Sequence, residues 1–280
     1  MEIVDAHTHV VSSDPRRYPL NPRDLSGDWY REGPASAEDL ASAMRGAGVT
    51  RAVLVQGVGA YGFDNRYAAD AANADPTRFA SACAIDAEAE DAVERLRFWI
   101  EERGMRGVRL FALSRDGPSW LADPSVDPVW HAALKLGARI IVTILPHQLA
   151  ELDRALERHP TAEVSLDHCA FSLGEESTRS RLFELAVYPG LHLKITTHNL
   201  DEAITKEGSA GPVMRSLIKA FGAERLMWGS DFCQIHDRSY AELVALARDA
   251  CASLTPRERT AILGGTARRI WFDRPDPTAR

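Results

Sequence analysis

The chain has 280 residues, 45% hydrophobic and 26% charged, which is typical of a folded globular protein and excludes a disordered or fibrous chain. A formal net charge of -7 without a lysine or arginine run argues against a nucleic-acid partner. The start, MEIVDAHTHV, lacks the pattern of a secretion signal and no apolar run approaches the ~18 residues of a membrane span, so we expect no membrane association and a cytoplasmic location.

Short apolar runs rich in β-branched residues recur along the chain and predict eight strands. Their near-continuous hydrophobicity, in place of strict alternation, is typical of parallel strands that are covered on both faces. The predicted strands are 2–4, 52–55, 79–85, 105–111, 138–145, 162–166, 191–195 and 226–228.

Helical patterns lie between these runs. Ser36 and Asp39 have the spacing of a capping box, and Leu40 and Met44 follow on one helix face. Strand and helix alternate at roughly 25 to 35 residues per unit, the size of a βαβ element. The pattern predicts an α/β protein with a single (β/α)8 TIM barrel over 1–272 and a tail over 273–280. An open doubly wound sheet is the alternative, but no GxGxxG motif follows the first strand.

One connection departs from the repeat. The segment 11–34, which follows the first strand, contains four prolines and is too long for a simple turn. We predict that this extended loop folds over the mouth of the barrel.

Two histidines near the start are candidates for chemistry. Asp5, His7 and His9 occupy alternate positions as the first strand ends, so we expect their side chains to leave one face and converge at the barrel mouth. Two imidazoles at this spacing suit one divalent metal such as zinc or manganese. The alternative is a pair of polar residues that line a loop.

Two further candidates follow other strands. Asp231 follows the eighth strand, which barrel closure places beside the first, so its carboxylate is predicted to ligate a metal or to take a proton from water. The alternative is a helix N-cap. His168 follows the sixth strand and is predicted to polarise a carbonyl or donate a proton, with a buried core histidine as the alternative. Asp167 is expected to point the other way.

These segments together resemble a known family. DAHTH at the first strand, LDHCA at the sixth and MWGSDF at the eighth are similar to the amidohydrolase-related (amidohydrolase 2) proteins of the amidohydrolase superfamily. DPRRYPLNP, QGVGAYGFDN and MRGVRLF resemble its lactonase-type branch, which includes pyrone-dicarboxylate and sugar-lactone hydrolases. The resemblance spans nearly the whole chain. It implies a (β/α)8 barrel that hydrolyses a ring ester, with His7, His9, His168 and Asp231 at the matching catalytic positions.

The sequence departs from this family at the fifth strand. Metal-dependent members generally place a ligand histidine there, whereas ARIIVTILPH offers Thr143 and Leu145, with His147 only after a proline. Both a metal site and a metal-free reaction, in which the imidazoles act on the carbonyl directly, therefore stay open. The predicted metal ligands are His7, His9 and Asp231, with His147 or His168.

Cationic and polar side chains near the mouth bear on the substrate. Arg109 lies on the fourth strand, where a guanidinium facing the interior can bind a carboxylate in two places, which indicates an acidic substrate. Trp29 and Tyr30 are predicted to cover the ring. The other predicted substrate contacts are Gln56, Tyr61, Asn65 and Lys194.

The sequence thus predicts a hydrolase that opens a lactone ring, with Asp231 as general base and an acidic or polyhydroxylated, sugar-derived lactone as its small-molecule partner. A homo-oligomer is compatible with it. The alternatives are a metal-dependent decarboxylase, an amide or linear ester hydrolase, and a non-catalytic barrel that binds a small molecule. A cysteine nucleophile, Cys169 or Cys233, is a further alternative.

Overall fold

The computed structural model describes residues 1–23 and 27–273. Eight strands form one parallel sheet whose spatial order follows the chain. The sheet closes where the Asp231 N–H donates to the His7 carbonyl at 2.9 Å and Thr8 pairs with Phe232. The predicted (β/α)8 barrel is confirmed. The strands are β1 (Val4–Thr8), β2 (Arg51–Val55), β3 (Phe79–Ala84), β4 (Gly107–Phe111), β5 (Arg139–Thr143), β6 (Val164–Leu166), β7 (Leu191–Thr196) and β8 (Leu226–Gly229).

Helices lie between the strands and cover the outer face of the barrel. The predicted capping box is present, because the Ser36 side chain accepts from the Asp39 N–H at the start of the second helix. The helices are α1 (Trp29–Glu32), α2 (Ala37–Ala47), α3 (Val58–Tyr61), α4 (Arg66–Ala74), α5 (Ala92–Arg97), α6 (Asp127–Leu136), α7 (Leu149–Arg158), α8 (Glu176–Glu184), α9 (Thr197–Glu207), α10 (Gly211–Phe221), α11 (Tyr240–Ala250), α12 (Pro256–Thr260) and α13 (Thr266–Trp271).

The apolar core has two main parts. The larger one lies between the sheet and the helices, where residues such as Leu40 and Leu96 are fully buried. The smaller one fills the amino end of the barrel interior, where Trp271 of α13 packs against Val4 and Met227. Because α13 closes the barrel from below, a ligand can reach the interior only from the carboxyl ends of the strands.

The first strand differs from its predicted position. The run 2–4 was expected to form it, whereas β1 extends from Val4 to Thr8. Asp5 pairs with Ala52 and Thr8 pairs with Leu54, so three steps along β1 match two along β2. This one-residue bulge reverses the alternation of inward and outward side chains within β1.

Both ends of the predicted barrel depart from the simple repeat. The loop after β1 contains α1, and Trp29 of that helix lies over the carboxyl ends of the strands. Asp273 accepts from Arg268 Nε at 3.0 Å, while the rest of the predicted tail lies outside the described residues, so the 1–272 and 273–280 division stays a prediction. Within the described ranges, no helix is long and apolar enough to cross a membrane.

Candidate active site

Four side chains predicted from the sequence meet at the carboxyl ends of β1, β6 and β8. His7 Nε2 and His9 Nε2 lie 3.6 Å and 3.3 Å from Asp231 Oδ1. One ligand atom each of His7, His168 and Asp231 lies within 4.8 Å of the others. All four side chains are buried. Barrel closure therefore unites residues that are more than two hundred positions apart in the sequence.

Hydrogen bonds at Nδ1 fix the direction of the β1 imidazoles. His9 Nδ1 lies 2.8 Å from the Val55 carbonyl oxygen, which can only accept, so this nitrogen carries a proton. His7 Nδ1 lies 3.1 Å from Asp167 Oδ1, another acceptor, and 3.3 Å from Lys194 Nζ, a donor, and we assign its proton to the shorter contact with Asp167. Burial lowers the pKa of His7 well below its usual value, so its ring is neutral. In this tautomer His7 directs the lone pair of Nε2 at Asp231.

This arrangement leaves buried acceptors facing each other. His7 Nε2 and Asp231 Oδ1 are buried and have no hydrogen-bond partner. Two lone pairs at close range repel each other unless a proton or a cation lies between them, and unpaired buried polar atoms are costly. Imidazole nitrogen and carboxylate oxygen are ordinary ligands of zinc and related divalent ions. The donor set of His7, His168 and Asp231 therefore fits a divalent metal ion.

The fifth strand brings no histidine to this cluster. His147 is exposed within the short turn Pro146–Gln148 and is absent from the cluster of ligand atoms found among the described residues. The inward residue at the end of β5 is Thr143, whose hydroxyl donates to Asp167 Oδ2 at 2.7 Å. The end of β5 thus contributes a hydrogen bond to the buried carboxylate of Asp167 in place of a metal-binding histidine.

Asp167 is the functional residue that sequence reasoning missed. We expected its side chain to point away from the site, but it is fully buried and contacts His7. Lys194 Nζ and Arg109 Nη2 each lie 3.0 Å from one of its carboxylate oxygens. Burial opposes its ionisation, but the hydrogen bond with His7 and the charges of Lys194 and Arg109 outweigh burial and hold the pKa of Asp167 well below its ordinary value. An ionised Asp167 balances buried cations and fixes the His7 tautomer.

A left-handed turn explains how adjacent Asp167 and His168 both reach the site. Four successive residues, His168 to Phe171, have φ between 50° and 54°. This conformation costs roughly 1–2 kcal/mol for each residue with a side chain. Asn199 Nδ2 donates to the His168 carbonyl at 2.9 Å, and His168 Nδ1 lies 2.8 Å from Thr196 Oγ1. No glycine in DHCAF marks this turn, so the sequence offered no signal for it.

Asp231 occupies its place because β8 passes very close to β1. A Cβ on Gly229 would lie 2.6 Å from His7 Cβ, so only glycine permits this approach. Asp231 has φ 62°, a conformation that aspartate tolerates better than most residues. Burial would raise the pKa of Asp231, but the neighbouring imidazoles of His9, His168 and His7 lower it, so the side chain is an ionised acceptor. The N-cap alternative is wrong, because Ser239 caps α11.

Asp5 does not join the cluster, and the expectation that it would is wrong. Its carboxylate accepts from the Ser230 N–H and from the Tyr240 hydroxyl of α11, each at 2.9 Å. Burial raises the pKa of Asp5 to about 6, despite the hydrogen bonds from Ser230, His7 and Tyr240. Because of the bulge in β1, the side chains of Asp5 and His7 point in different directions. Asp5 therefore fastens β1 to β8 and α11.

A cavity of about 260 Å³ opens onto the cluster. Trp29 lines it, as predicted for a residue that covers a ring, whereas Tyr30 does not and donates to Asp28 instead. Arg109 also lines it. The full lining is His9, Trp29, Gly57, Val58, Gly59, Arg109, Phe111, Leu113, Thr143, Leu145, His168, Phe171 and Gln234.

The other predicted substrate contacts do not line this cavity. Gln56 Nε2 donates to two backbone carbonyls, and Asn65 exchanges hydrogen bonds with the Ala84 backbone. The Tyr61 hydroxyl accepts from the Ser12 N–H at 2.8 Å. Lys194 lies below the cluster, against Asp167. These side chains shape the loops and the floor of the site.

The two cysteines near the site are disfavoured as nucleophiles. Burial raises the pKa of Cys169 above its usual range and raises the pKa of Cys233 to about 12. Because a thiolate is the reactive form, both side chains are poor nucleophiles at neutral pH.

A parallel barrel with imidazoles and a carboxylate gathered at its carboxyl-end mouth defines a class of barrel enzymes that activate water. The amidohydrolase family model matches residues 4–272. The chain therefore belongs to the amidohydrolase family, and its prediction as an amidohydrolase-type enzyme is confirmed.

Three relatives illustrate the likeness. The chain is 28% identical over 290 residues to the L-fucono-1,5-lactonase of Burkholderia ambifaria, a match that covers 97% of this chain and 96% of that protein. An amidohydrolase of Burkholderia multivorans, solved with bound zinc, is similar with a TM-score of 0.75 at 23% identity, covering 96% of this chain and 99% of that one. A presumed 2-pyrone-4,6-dicarboxylic acid hydrolase of Pseudomonas putida is similar with a TM-score of 0.75 at 23% identity. The match covers 96% of this chain and 97% of that one.

Proposed function

We propose that this protein opens a lactone ring by attack of water on the ester carbon. The single observation that carries the proposal is the proximity of Asp231 to His7, His9 and His168, beside a cavity that opens at the carboxyl ends of the strands. The likeness to an L-fucono-1,5-lactonase over nearly the full length of both proteins supports the ester ring as the substrate bond.

Asp231 acts as the general base in this proposal. Its ionised carboxylate binds the attacking water, orients it and accepts its proton as the new bond to the acyl carbon forms. His9 Nε2, at 3.3 Å, lies close enough to share that proton. The bond between the acyl carbon and the ring oxygen then breaks, and the proton passes to the departing alkoxide. The product is one hydroxy acid.

A metal ion is part of this proposal because the buried acceptors fit one. His7, His168 and Asp231 would hold it. When bound, a divalent ion lowers the pKa of water and polarises a carbonyl, which compensates for the weak basicity of a carboxylate with a low pKa. Asp167 keeps His7 in the tautomer that presents Nε2 to this position. Zinc or manganese is the predicted metal.

The test combines elemental analysis of the purified protein with acid release from a panel of lactones, with and without chelator. We expect stoichiometric divalent metal, ring-opened hydroxy acid as the product, and loss of turnover after chelation. Release of carbon dioxide from a carboxylated substrate would favour the decarboxylase. Faster turnover of amides or linear esters would favour the other hydrolases, and binding with no turnover would favour a binding barrel. The cytoplasmic location stays a prediction.

A further inference from the structure

We infer that the substrate is a neutral lactone whose ring carries an apolar substituent, in preference to a carboxylated or fully hydroxylated one. This inference rests on the proposed lactonase function and concerns the substrate class of the same site. It follows from how polar and apolar side chains are distributed over the cavity wall.

The wall changes from polar to apolar along β4 and β5. Arg109 and Thr143 lie at the floor, where both contact Asp167. Two residues further along each chain segment, Phe111 and Leu145 line the cavity nearer its mouth. Leu113 continues the apolar surface beyond Phe111. Above the polar floor, a bound ligand would therefore contact the hydrocarbon side chains of this wall.

Arg109 is already engaged and is a poor partner for a substrate carboxylate. Its Nε donates to Thr143 Oγ1 at 2.9 Å and to Asp167 Oδ2 at 3.0 Å, and its Nη1 donates to the Gln56 carbonyl at 3.2 Å. Its Cζ lies 4.8 Å from the centre of the Phe111 ring. Asp167 offsets its charge, and the ring covers one face of the guanidinium.

A carboxylate on a ring substituent would therefore lack an available cationic side chain on the β4 and β5 wall, because the proposed metal position at His7, His168 and Asp231 serves the reacting ester on the other side of the cavity. Arg109 is the one arginine or lysine among the described residues that line the cavity. His9 directs its protonated Nδ1 at the Val55 carbonyl, away from a ligand. An anion buried without a paired cation is strongly disfavoured. The pairing of Arg109 with Asp167 thus favours a lactone whose substituent is neutral.

Additional hydroxyl groups would also lack partners along the wall of Phe111, Leu113 and Leu145. A hydroxyl group buried against hydrocarbon loses its hydrogen bonds to water and gains none, whereas an alkyl group there is favourable. The hydrogen-bonding side chains His9, His168 and Thr143 lie on the side that faces the ester. The apolar side consists of Val58, Phe111, Leu113, Leu145 and Phe171, while the unpaired Trp29 indole N–H and the Gln234 amide are the two further hydrogen-bonding groups of the described lining.

The test measures kcat/KM of the metal-loaded protein on δ-valerolactone, on δ-lactones with methyl, ethyl and propyl substituents, on D-glucono-1,5-lactone and on a δ-lactone bearing a carboxylate. We expect kcat/KM to rise roughly threefold to fourfold per methylene. The propyl lactone should exceed the glucono- and carboxylated lactones by at least tenfold. Equal or faster turnover of either polar lactone would overturn the inference and leave the lactonase function intact, whereas no turnover of any lactone would overturn both.

Two variants locate the selectivity on the apolar wall. Leu145→Gln and the half-buried Leu113→Gln each place an amide where the structure has hydrocarbon. We expect each to lower the preference for the propyl lactone over D-glucono-1,5-lactone by about tenfold, with folding checked by circular dichroism. His147→Gln, in the short turn beside Leu145, is the matched control and should keep the original preference. An unchanged preference in both folded leucine variants would contradict the assignment.

Discussion

The two sides of the cavity differ in both chemistry and backbone geometry. On the side of β1, β6 and β8, the chain departs from regular geometry through a bulge, a left-handed turn and the positive φ of Asp231, and it presents His7, His9, His168 and Asp231. On the side of β4 and β5, regular strands present Arg109 and Thr143 below an apolar wall. Strained backbone thus accompanies the proposed reactive groups, and regular backbone forms the largely apolar wall opposite them.

The largest effect is expected from Asp231→Asn, which removes the proposed base on the reactive side and nearly preserves its shape. We expect kcat for lactone hydrolysis to fall about a thousandfold or more, because a general base and a metal ligand are lost together. Acid release in a pH-stat measures this loss, and circular dichroism checks the fold. Activity within tenfold of the unchanged protein would remove Asp231 from its assigned role.

Asp167→Asn should act through stability as well as activity, because this carboxylate joins the two sides. Its removal leaves Lys194 and Arg109 buried without the carboxylate that both of them contact. We expect the free energy of unfolding to fall by about 3–5 kcal/mol, measured by urea denaturation. Adding Lys194→Met should restore part of the loss, and an unfolding transition that does not move in the single variant would contradict this account.

The regular parts of this molecule were predictable from the sequence. Apolar runs gave the number and order of the strands, and barrel closure then brought Asp231 to His7 and His9. The capping box at Ser36 marked its helix correctly because capping is a local interaction between nearby residues. These features depend on short-range patterns and on one topological rule, which is why the sequence was sufficient.

The irregular parts were not predictable, and they decide the direction of the site residues. Asp5 was placed on the wrong face because a bulge has no signature in MEIVDAHTHV. Asp167 was placed on the wrong face because strand alternation does not anticipate a left-handed turn without glycine. Arg109 and Lys194 were assigned to the substrate because their partner, Asp167, was missing from the predicted site.

Asn199→Asp sharpens the comparison by removing a hydrogen bond that holds the left-handed turn and placing an acceptor beside the His168 carbonyl. Aspartate keeps the oxygen that accepts from the Thr196 N–H and loses the amide that donates to the His168 carbonyl. We expect kcat to fall roughly tenfold with little change in KM, because a hydrogen bond that holds a strained segment contributes about 1 kcal/mol or more. A fall in the unfolding temperature with kcat unchanged would show that Asn199 is only structural.

His147→Ala should have the smallest effect, because this side chain is exposed and outside the cluster. We expect kcat within about twofold of the unchanged protein and the same metal content by elemental analysis. Loss of bound metal in this variant would restore His147 as the fifth-strand ligand that the family resemblance suggested.

The central claim is that water attacks the acyl carbon of a lactone on the reactive side of the cavity. Hydrolysis in water enriched in ¹⁸O, under conditions where the enzymatic rate far exceeds the spontaneous one, tests it most directly by mass spectrometry of the product. Our account predicts one ¹⁸O in the carboxylate of the hydroxy acid and none in its hydroxyl group. Label in the hydroxyl group, or no ring opening of any lactone, would contradict it.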